Sequence, residues 1–411
     1  MPDRTGGARL PAAIEQQFPD ALRHALVALR RDLHEHPELS FQEHRTADRL
    51  HAALDALHPV QLDRVAGTGI VARFRGRDTG IPAVAIRGDI DALPIQEATA
   101  LPFASRASGV MHACGHDVHA TWTVAAAHLL TMQPAAGDVL VVLQPAEEVG
   151  TGAMAVLESG ALDGVAAIFG GHVDRRFAVG QVVAEAGPLA ASADEFEITL
   201  TGSGAHGARP HEAADPIVGA GALIGALQTI VSRRLNPAHA AVVTVGTVHA
   251  GSAPNIIPDR ATLSGTLRAT EPAVRQRLHD EVRRIAASVA DTYRLTADVV
   301  VRSGPPPIVN PAEPASWARQ AATSLLGADG VVPLGFLNMG GEDFACYMER
   351  MPGCFLRIGA REPGGEPIPA HSPRFYAAEE SIFVGAAVLA HTARIASEHI
   401  AASHTSRPDG P

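Results

Sequence analysis

Hydrophobic residues recur at helical spacing near the start of the chain and give way to short apolar runs further on. In Asp20 to Arg31, and again in Glu43 to Leu57, leucines return every three or four residues, which predicts two amphipathic helices. Strand-length apolar runs follow at 70–74, 83–86 and 139–143, with an alanine-rich helix expected from about 120 to 130. This alternation predicts an α/β fold whose mixed, mainly parallel sheet is flanked by helices.

The pattern changes between residues 189 and 302, where the predicted elements come in the order strand, helix, strand, strand, helix, strand. The strands are predicted at 195–200, 241–248, 261–267 and 296–301, and the helices at 216–235 and 271–291. This order is typical of a ferredoxin-like α+β module. We therefore expect a catalytic domain in two parts, residues 1–188 and 303–411, interrupted by an insert at 189–302, with residues 1–20 as a loose tail.

Composition and charge restrict the class of protein further. A net charge of −11 argues against nucleic acid or an anionic membrane as the main partner. The first twenty residues lack the apolar core of a secretion signal, and no apolar stretch approaches the roughly 20 residues of a membrane span. Three widely spaced cysteines fit a reducing compartment. These observations predict a soluble, cytoplasmic protein.

Residues of the types that bind metal ions are concentrated in one part of the chain, just after strand-like runs. Thiolate, imidazole and carboxylate together suit borderline divalent ions such as Zn. Loops at strand ends are also where open α/β sheets build their sites. The residues are Asp89, Asp91, His112, Cys114, His116, Asp117, His119, Glu147, Glu148 and His172. Any one of them alone could be a surface residue or a turn cap, but together they predict a metal site.

Two short segments carry the strongest signal. Cys114 and His116 flank Gly115, whose conformational freedom lets both side chains approach a common centre from a tight loop. Glu147 and Glu148 follow an apolar strand, and adjacent residues in extended chain point in opposite directions. One carboxylate could therefore bind metal while the other acts as a base; the alternative for an isolated pair is a solvated acidic turn.

Short motifs along nearly the whole chain resemble those of the peptidase M20 family, in the branch that contains hippurate hydrolase and auxin-conjugate hydrolases. Each motif is short, but ten of them in family order are specific. They are RRDLHEHPEL at 30–39, RGDIDALP at 87–94, HACGHD at 112–117, QPAEE at 144–148, GGH at 170–172, AHG at 205–207, NIIP at 255–258, GTLR at 265–268, GEDF at 341–344 and HSP at 371–373.

The resemblance implies a role for particular residues of this chain. It implies that a metal centre with one or two divalent ions (Zn, Mn, Co or Ni) is formed by Cys114, His116, Glu148, His172 and His371, with the thiolate shared between two ions. Glu147 would be the general acid/base, and Asp91 or Asp117 would orient imidazoles that bind the metal. If Cys114 is not a ligand, His112 and His119 are the alternatives.

The resemblance also implies functions for residues of the insert. His206 would stabilise the oxyanion of the transition state, commonly from the partner subunit, so a homodimer or higher homo-oligomer is expected, with the insert as lid and dimerisation domain. An incidental histidine in a flexible hairpin is the alternative. Asn255 and Arg268 would contact the substrate, Arg268 by clamping a carboxylate, although a structural ion pair would explain that arginine nearly as well.

The expected function is hydrolysis of the amide bond of N-acyl amino acids, small molecules that yield a carboxylic acid and a free amino acid. A dipeptidase or carboxypeptidase would need the same catalytic residues. A third interpretation is a non-catalytic metal- or ligand-binding protein, but a purely structural metal site would not need the second carboxylate, Glu147, beside Glu148. The chain departs from many relatives after His172, where it reads Asp174-Arg-Arg-Phe177. We expect Arg175 and Arg176 to lie near the pocket mouth and to favour acidic substrates.

Overall fold

The computed structural model describes residues 9–405, which form two compact units. The main unit contains the described residues up to Gly187, Asn310–Gly335, and those from Cys346 onward. The inserted unit contains Pro188–Val309 together with Phe336–Ala345. The ten-residue segment Phe336–Ala345 thus groups with the insert, although it lies within the predicted second catalytic segment.

The elements alternate along the chain as expected for an α/β protein. The strands are β1 (Gln61–Val65), β2 (Gly69–Phe74), β3 (Val84–Asp89), β4 (Val139–Gln144), β5 (Ala167–Ala178), β6 (Val182–Val183), β7 (Gly187–Ala190), β8 (Asp194–Thr201), β9 (Ala205–His206), β10 (Ala241–Ala250), β11 (Ile256–Ile257), β12 (Arg260–Ala269), β13 (Thr296–Arg302), β14 (Ile308–Asn310) and β15 (Gly353–Arg361). The α-helices are α1 (Ala12–Glu15), α2 (Asp20–Glu35), α3 (His44–Asp55), α4 (His116–Met132), α5 (Gly152–Glu158), α6 (Pro216–Thr229), α7 (Pro272–Thr292), α8 (Ala312–Leu326), α9 (Phe344–Met348) and α10 (Glu380–Thr405).

A seven-stranded sheet forms the centre of the main unit, in the order β1-β2-β4-β3-β5-β15-β6. The four central strands β4, β3, β5 and β15 are parallel, and the outer strands pair antiparallel. Asp89 at the end of β3 lies beside Gln144 at the end of β4, and Arg357 on β15 lies beside His172 on β5. The carboxyl ends of parallel strands thus bring the predicted site segments to one edge of the sheet. The predicted α/β fold class is confirmed.

Helix α4 is buried on nearly all of its faces, as expected for a helix without a polar stripe. It packs against strands β3, β4 and β5 and against helix α10. Trp122 of α4 is completely buried in this core. The first turn of α4, which begins at His116, is therefore held in place by its surroundings.

The expectation of a loose tail at residues 1–20 is wrong for the described part, residues 9–20. Leu10, Ile14 and Phe18 are buried, and the Phe18 ring lies 5.1 Å from that of Phe383, centroid to centroid. These residues follow each other at intervals of four, which is a helical spacing, and α1 begins directly after Pro11. Residues 1–8 of the expected tail lie outside the described residues.

The inserted unit has an antiparallel sheet in the order β10-β12-β8-β13, with helices α6 and α7. The strand order, with the first and third strands of the module in the centre, is that of the expected ferredoxin-like fold. The 19-residue segment Pro216–Arg234 is long and apolar enough to cross a membrane, an exception to the expectation that no segment is. Its Leu223, Leu227 and Ile230 are buried in the core of this unit, which accounts for the apolar composition.

Candidate metal centre and active site

The loop from Cys114 to His116 requires a glycine at its centre. Gly115 adopts φ 90°, a left-handed conformation that residues with a side chain rarely adopt, and helix α4 begins directly after it. A Cβ atom at this position would lie 2.4 Å from Cγ2 of Val173, well inside van der Waals contact. The absence of a side chain therefore lets this loop approach strand β5, where His172 precedes Val173.

The His116 ring is oriented by Asp91. Its Nδ1 lies 2.9 Å from the main-chain oxygen and 3.1 Å from Oδ1 of Asp91. Both oxygens only accept hydrogen bonds, so Nδ1 donates, and Nε2 is the nitrogen that a neutral ring would offer to a metal ion. Asp91 is itself held by Ser40 Oγ at 2.7 Å and by the main-chain N–H of Glu148 at 3.0 Å. This contact is of the kind expected of Asp91, since it fixes both the tautomer and the direction of the imidazole.

The five residues expected to bind metal converge in the main unit. Cys114 Sγ lies 3.1 Å from His172 Nε2, and His371 Nε2 lies 3.3 Å from a carboxylate oxygen of Glu148. Their ligand atoms form two groups in which all atoms lie within 4.8 Å of one another. The groups are Cys114, His116 and His172, and Cys114, Glu148 and His371. Cys114 belongs to both groups, an arrangement that two ions bridged by one thiolate would require.

The donor atoms fit a divalent cation. Among residues 9–405, buried His116 Nε2 and Glu148 Oε1 have no hydrogen-bond partner, and unpaired buried polar atoms are costly. Burial, together with the nearby Glu148 carboxylate, raises the pKa of the Cys114 thiol well above its ordinary value. A cation among these groups would reverse that effect, because a thiol that coordinates a metal ion loses its proton. The thiolate, imidazole and carboxylate set suits Zn and similar ions.

His172 and His119 play different roles although they lie side by side. His172 donates from Nδ1 to the oxygen of Val173 at 2.6 Å, which leaves Nε2 towards Cys114. His119 accepts the main-chain N–H of Val173 at Nε2 (2.9 Å) and donates from Nδ1 to Asp89 at 2.6 Å. Both nitrogens of His119 are thus used, so this geometry makes it a support for the His172 segment rather than a ligand.

Two main-chain contacts hold the remaining ligand segments in strained positions. His371 has φ 65° and donates its N–H to the oxygen of Ala113 at 2.8 Å. Ala146, directly before Glu147, has φ 55° and donates its N–H to Glu43 at 2.9 Å. Positive φ at residues other than glycine is uncommon and clusters at functional sites. The side chain of Glu147 is 10% exposed, with Oε2 3.8 Å from His116 Nε2.

Comparison with known proteins identifies the family. Residues 85–395 match the model of peptidase family M20/M25/M40. The chain belongs to this family. It is 42% identical over 384 residues to the N-acetylcysteine deacetylase of Bacillus subtilis (strain 168), covering 91% of this chain and 97% of that protein. It is also 37% identical to the IAA-amino acid hydrolase ILR1-like 5 of Arabidopsis thaliana, covering 90% of this chain and 86% of that protein.

A solved structure extends the likeness to three dimensions. The Bacillus subtilis YXEP protein is described as a dinuclear metal-binding peptidase from the M20 family. It superposes with a TM-score of 0.80 at 38% identity, covering 92% of this chain and 99% of that chain. This M20 member is therefore a metal-dependent amide hydrolase with a relative described as binding two metal ions.

The M20 sequence pattern did not indicate the ionic network behind the site. Asp117, expected as an alternative to Asp91, accepts hydrogen bonds from Arg30 Nε at 2.7 Å and His34 Nδ1 at 2.8 Å. All three side chains are buried, and they join helix α2 to the first turn of α4. Arg30 and His34 are four residues apart and share one helix face, a spacing that could have suggested the pairing. Asp117 thus anchors the helix, while Asp91 contacts the imidazole.

In the inserted unit, His206 and Asn255 lie side by side. His206 ends β9, is exposed and pairs with Ile256 of β11. The main-chain N–H of Ala208 donates to His206 Nδ1 at 3.0 Å, which places the proton of the neutral ring on Nε2. The N–H of Gly207 donates to the main-chain oxygen of Asn255 at 2.8 Å. The two exposed side chains therefore lie at the small two-stranded sheet formed by β9 and β11, which are distant in sequence.

Arg268 lies on β12 and is half-buried. Within residues 9–405 no hydrogen bond or ion pair of its guanidinium is found, and Nη1 lies 3.5 Å from the position of a Cβ at Gly341. The alternative of a structural ion pair is therefore wrong. An unpaired guanidinium over a glycine leaves room for a carboxylate.

The expectation that Arg175 and Arg176 favour acidic substrates as cations near the pocket mouth is wrong. Arg175 is buried, 2% exposed, and its guanidinium is occupied by hydrogen bonds within the main unit. Arg176 forms an ion pair with Asp174 at 2.6 Å. Neighbouring residues on a strand point to opposite faces, so the two arginines could not both reach one pocket. The proposed preference for acidic substrates loses its basis.

Proposed function

We propose that this M20 enzyme hydrolyses the amide bond of N-acyl amino acids and releases a carboxylic acid and a free amino acid. The observation that carries the proposal is the pair of ligand groups sharing Cys114, with a second carboxylate, Glu147, beside the ligand Glu148. Relatives named as an N-acetylcysteine deacetylase and an IAA-amino acid hydrolase support this substrate class.

The ligands would hold one or two divalent ions, Zn, Mn, Co or Ni. Such ions polarise the amide carbonyl and lower the pKa of water from about 15.7 towards about 7. Cys114, His116 and His172 would hold one ion, and Cys114, Glu148 and His371 the other. Asp91 keeps the His116 ring in the tautomer that a ligand needs.

Glu147 would act as general base and then as general acid. It takes a proton from the attacking water and returns the proton to the leaving amine nitrogen. Glu148 faces His371, and the Glu147 carboxylate lies 3.8 Å from His116 Nε2, beside the ligands where the attacking water would be held. A positioned general base contributes about 10²–10⁴ to the rate.

His206 would stabilise the oxyanion that forms as the carbonyl is attacked. Its Nδ1 already accepts a main-chain N–H, so the proton on Nε2 is the one it can donate. As in the M20 family generally, we assign this donor to the partner subunit of a homodimer. Strand β10 lies at the edge of its sheet, where the main-chain groups of an edge strand can pair with a second copy in such an assembly.

Arg268 and Asn255 would recognise the amino-acid portion of the substrate. The unpaired guanidinium of Arg268 suits a bidentate clamp on the α-carboxylate. Dipeptides also carry a free carboxylate, so this contact does not distinguish an N-acyl amino acid hydrolase from a dipeptidase. The group on the other side of the amide bond distinguishes them. A cytoplasmic location fits an enzyme whose shared ligand is an oxidisable thiolate.

A hydrolysis screen tests the proposal directly. Metal-loaded protein is assayed with hippurate, with N-acetyl, long-chain N-acyl and indole-acetyl amino acids, and with dipeptides. The products are identified by mass spectrometry. We expect turnover of at least one N-acyl amino acid; turnover of dipeptides alone would favour a dipeptidase, and no turnover of any would favour a binding protein.

Matched variants test the roles of the glutamate pair. Glu147→Gln should keep its metal content and lose about 10²–10⁴ in kcat. Glu148→Gln, a neighbour with the same chemical change, should lose metal. Wild-type turnover in metal-loaded Glu147→Gln would exclude Glu147 as the base.

A further inference from the structure

The loop that carries His371 is long and has no helix or strand of its own. It runs from the end of β15 at Arg361 to the start of α10 at Glu380. Loops of this length without regular structure are uncommon in compact domains and need specific contacts to adopt one conformation. His371 lies in the middle of it, with its side chain 55% exposed and its main chain at φ 65°. Something outside the loop must therefore hold it.

Arg175 on β5 contacts this loop and the end of β15, the strand that leads into it. Its Nη1 donates to the main-chain oxygens of Ala360 at 3.3 Å and Tyr376 at 3.0 Å, on either side of His371. Its Nε and Nη2 donate to the oxygen of Glu366 at 3.2 and 2.7 Å. These contacts join the strand end before the loop and two points within the loop, one on each side of His371, to one buried side chain.

The rest of the guanidinium is also occupied. Nη1 and Nη2 form a forked ion pair with the Glu362 carboxylate at 2.8 and 3.3 Å, and the Tyr376 hydroxyl donates to the same carboxylate. The guanidinium carbon lies 4.2 Å from the centre of the Tyr376 ring. Five N–H groups in a planar fork are needed for this arrangement, and a lysine ammonium has three without that geometry.

The position of Arg175 links this contact to the metal centre. Arg175 follows His172 by three residues on β5. The same strand therefore supplies His172 to the first ligand group and holds the loop that supplies His371 to the second ligand group. His371 has two contacts of its own near the site: its main-chain N–H donates to Ala113, and its Nε2 faces the Glu148 carboxylate. The orientation of its imidazole consequently depends on the course of the loop.

We propose that Arg175 is a positioning residue that keeps His371 in place to bind its metal ion. The inference rests on the proposed metal centre and adds a residue without contact to the metal. When only a fraction of molecules holds the loop in the binding conformation, the apparent affinity for that ion falls by the same fraction. Loss of a residue that orients a metal ligand typically weakens metal binding about 10- to 100-fold.

The test is a metal titration of metal-free protein followed by calorimetry, with Zn²⁺ and separately with Mn²⁺. His371→Ala first identifies which binding step belongs to the His371 group. Arg175→Lys should then weaken that same step by about 10- to 100-fold and leave the other step at the wild-type affinity. Arg176→Lys, the neighbouring arginine that pairs with Asp174, is the matched control and should leave both steps unchanged.

Glu362→Gln provides a second, milder variant in case Arg175→Lys fails to fold. It removes the charge that faces Arg175 and should weaken the His371 step selectively, by less than Arg175→Lys does. Unchanged titrations in both variants would overturn the inference, as would equal weakening of both steps, which indicates a general structural role. Wild-type protein that binds no ion would overturn the metal centre itself, a result distinct from either of these.

Discussion

Replacing Gly115 with alanine should damage the protein in two separable ways. The residue has φ 90°, and a left-handed conformation costs a residue with a side chain about 1–2 kcal/mol. The new methyl group would lie 2.4 Å from Val173 Cγ2, and overpacking of a core typically costs about 1–3 kcal/mol. The free energy of unfolding should therefore fall by about 2–5 kcal/mol.

Two further variants separate these contributions. Gly164→Ala changes a glycine with φ 80° and nothing within 4 Å of its Cβ position, so it should cost only the conformational part. Val173→Ala alone should cost about 2 kcal/mol for the buried methyl groups. Combined with Gly115→Ala it removes the clash, so the double variant should lose about 1–3 kcal/mol less than the sum of the single losses.

Urea unfolding of the metal-free proteins, followed by tryptophan fluorescence, measures these differences. Both tryptophans, Trp122 and Trp317, lie in the main unit, so the signal reports on the unit that contains Gly115. If Gly115→Ala costs no more than Gly164→Ala, or if the double variant is additive, the argument from the Val173 contact fails. Zn²⁺ affinity should also fall in Gly115→Ala and stay unchanged in Gly164→Ala, because only the former moves His116 relative to Cys114.

Cys114→Ser should weaken both metal-binding steps, whereas His172→Ala should weaken one, because only the thiol belongs to both ligand groups; calorimetric titration that shows a single affected step in Cys114→Ser would exclude a shared ligand. Chelation should abolish turnover and Zn, Mn, Co or Ni should restore it; activity in protein shown by mass spectrometry to hold no metal would contradict this. Asp194→Asn should destabilise the insert by about 3–5 kcal/mol, since it removes the buried carboxylate that pairs with half-buried Arg275 and buried His279. Burial raises the pKa of Asp194, but hydrogen bonds from Arg275 and His279 outweigh this effect and hold the pKa below 3.8. The stabilisation by Asp194 is therefore present above about pH 4 and is lost as the pH falls through the lowered pKa. Thermal unfolding measured between pH 3 and 6 tests this, and equal stability of Asp194→Asn and the wild type at pH 6 would contradict both the destabilisation and its pH dependence.

The fold was predictable wherever the hydrophobic pattern had a single period. The strand at 195–200 alternates strictly, and β8 follows the same course from Asp194 to Thr201. At the start of the chain, Pro11 and several acidic residues concealed the spacing of Leu10, Ile14 and Phe18. Their burial depends on partners such as Phe383, which are far away in sequence and are not visible in a local pattern.

The site was predictable as a set of residue types and less so as a set of contacts. Cys114 and His116 could be chosen because few residue types bind metal and they lie two residues apart. The role of Asp91 as opposed to Asp117 depends on which imidazole each carboxylate reaches, and this is decided by Arg30 and His34 on a distant helix. Arg175 could not be assigned because a strand arginine points inward or outward according to the sheet around it, and only an inward one finds the loop carbonyls.

The hydrogen bond from His371 to Ala113 joins a segment that precedes the insert in the sequence to one that follows it, so it can form only late in synthesis of the chain. About 200 residues separate His172 from His371, so at about 5–20 residues per second the last ligand leaves the ribosome about 10–40 s after the other four. During that interval the chain also lacks β15, which pairs with β5, and α10, which packs against α4. A ribosome stalled within the insert would therefore carry four of the five ligand residues without the strand and helix that place them, so ions would be acquired only after the last segment has emerged.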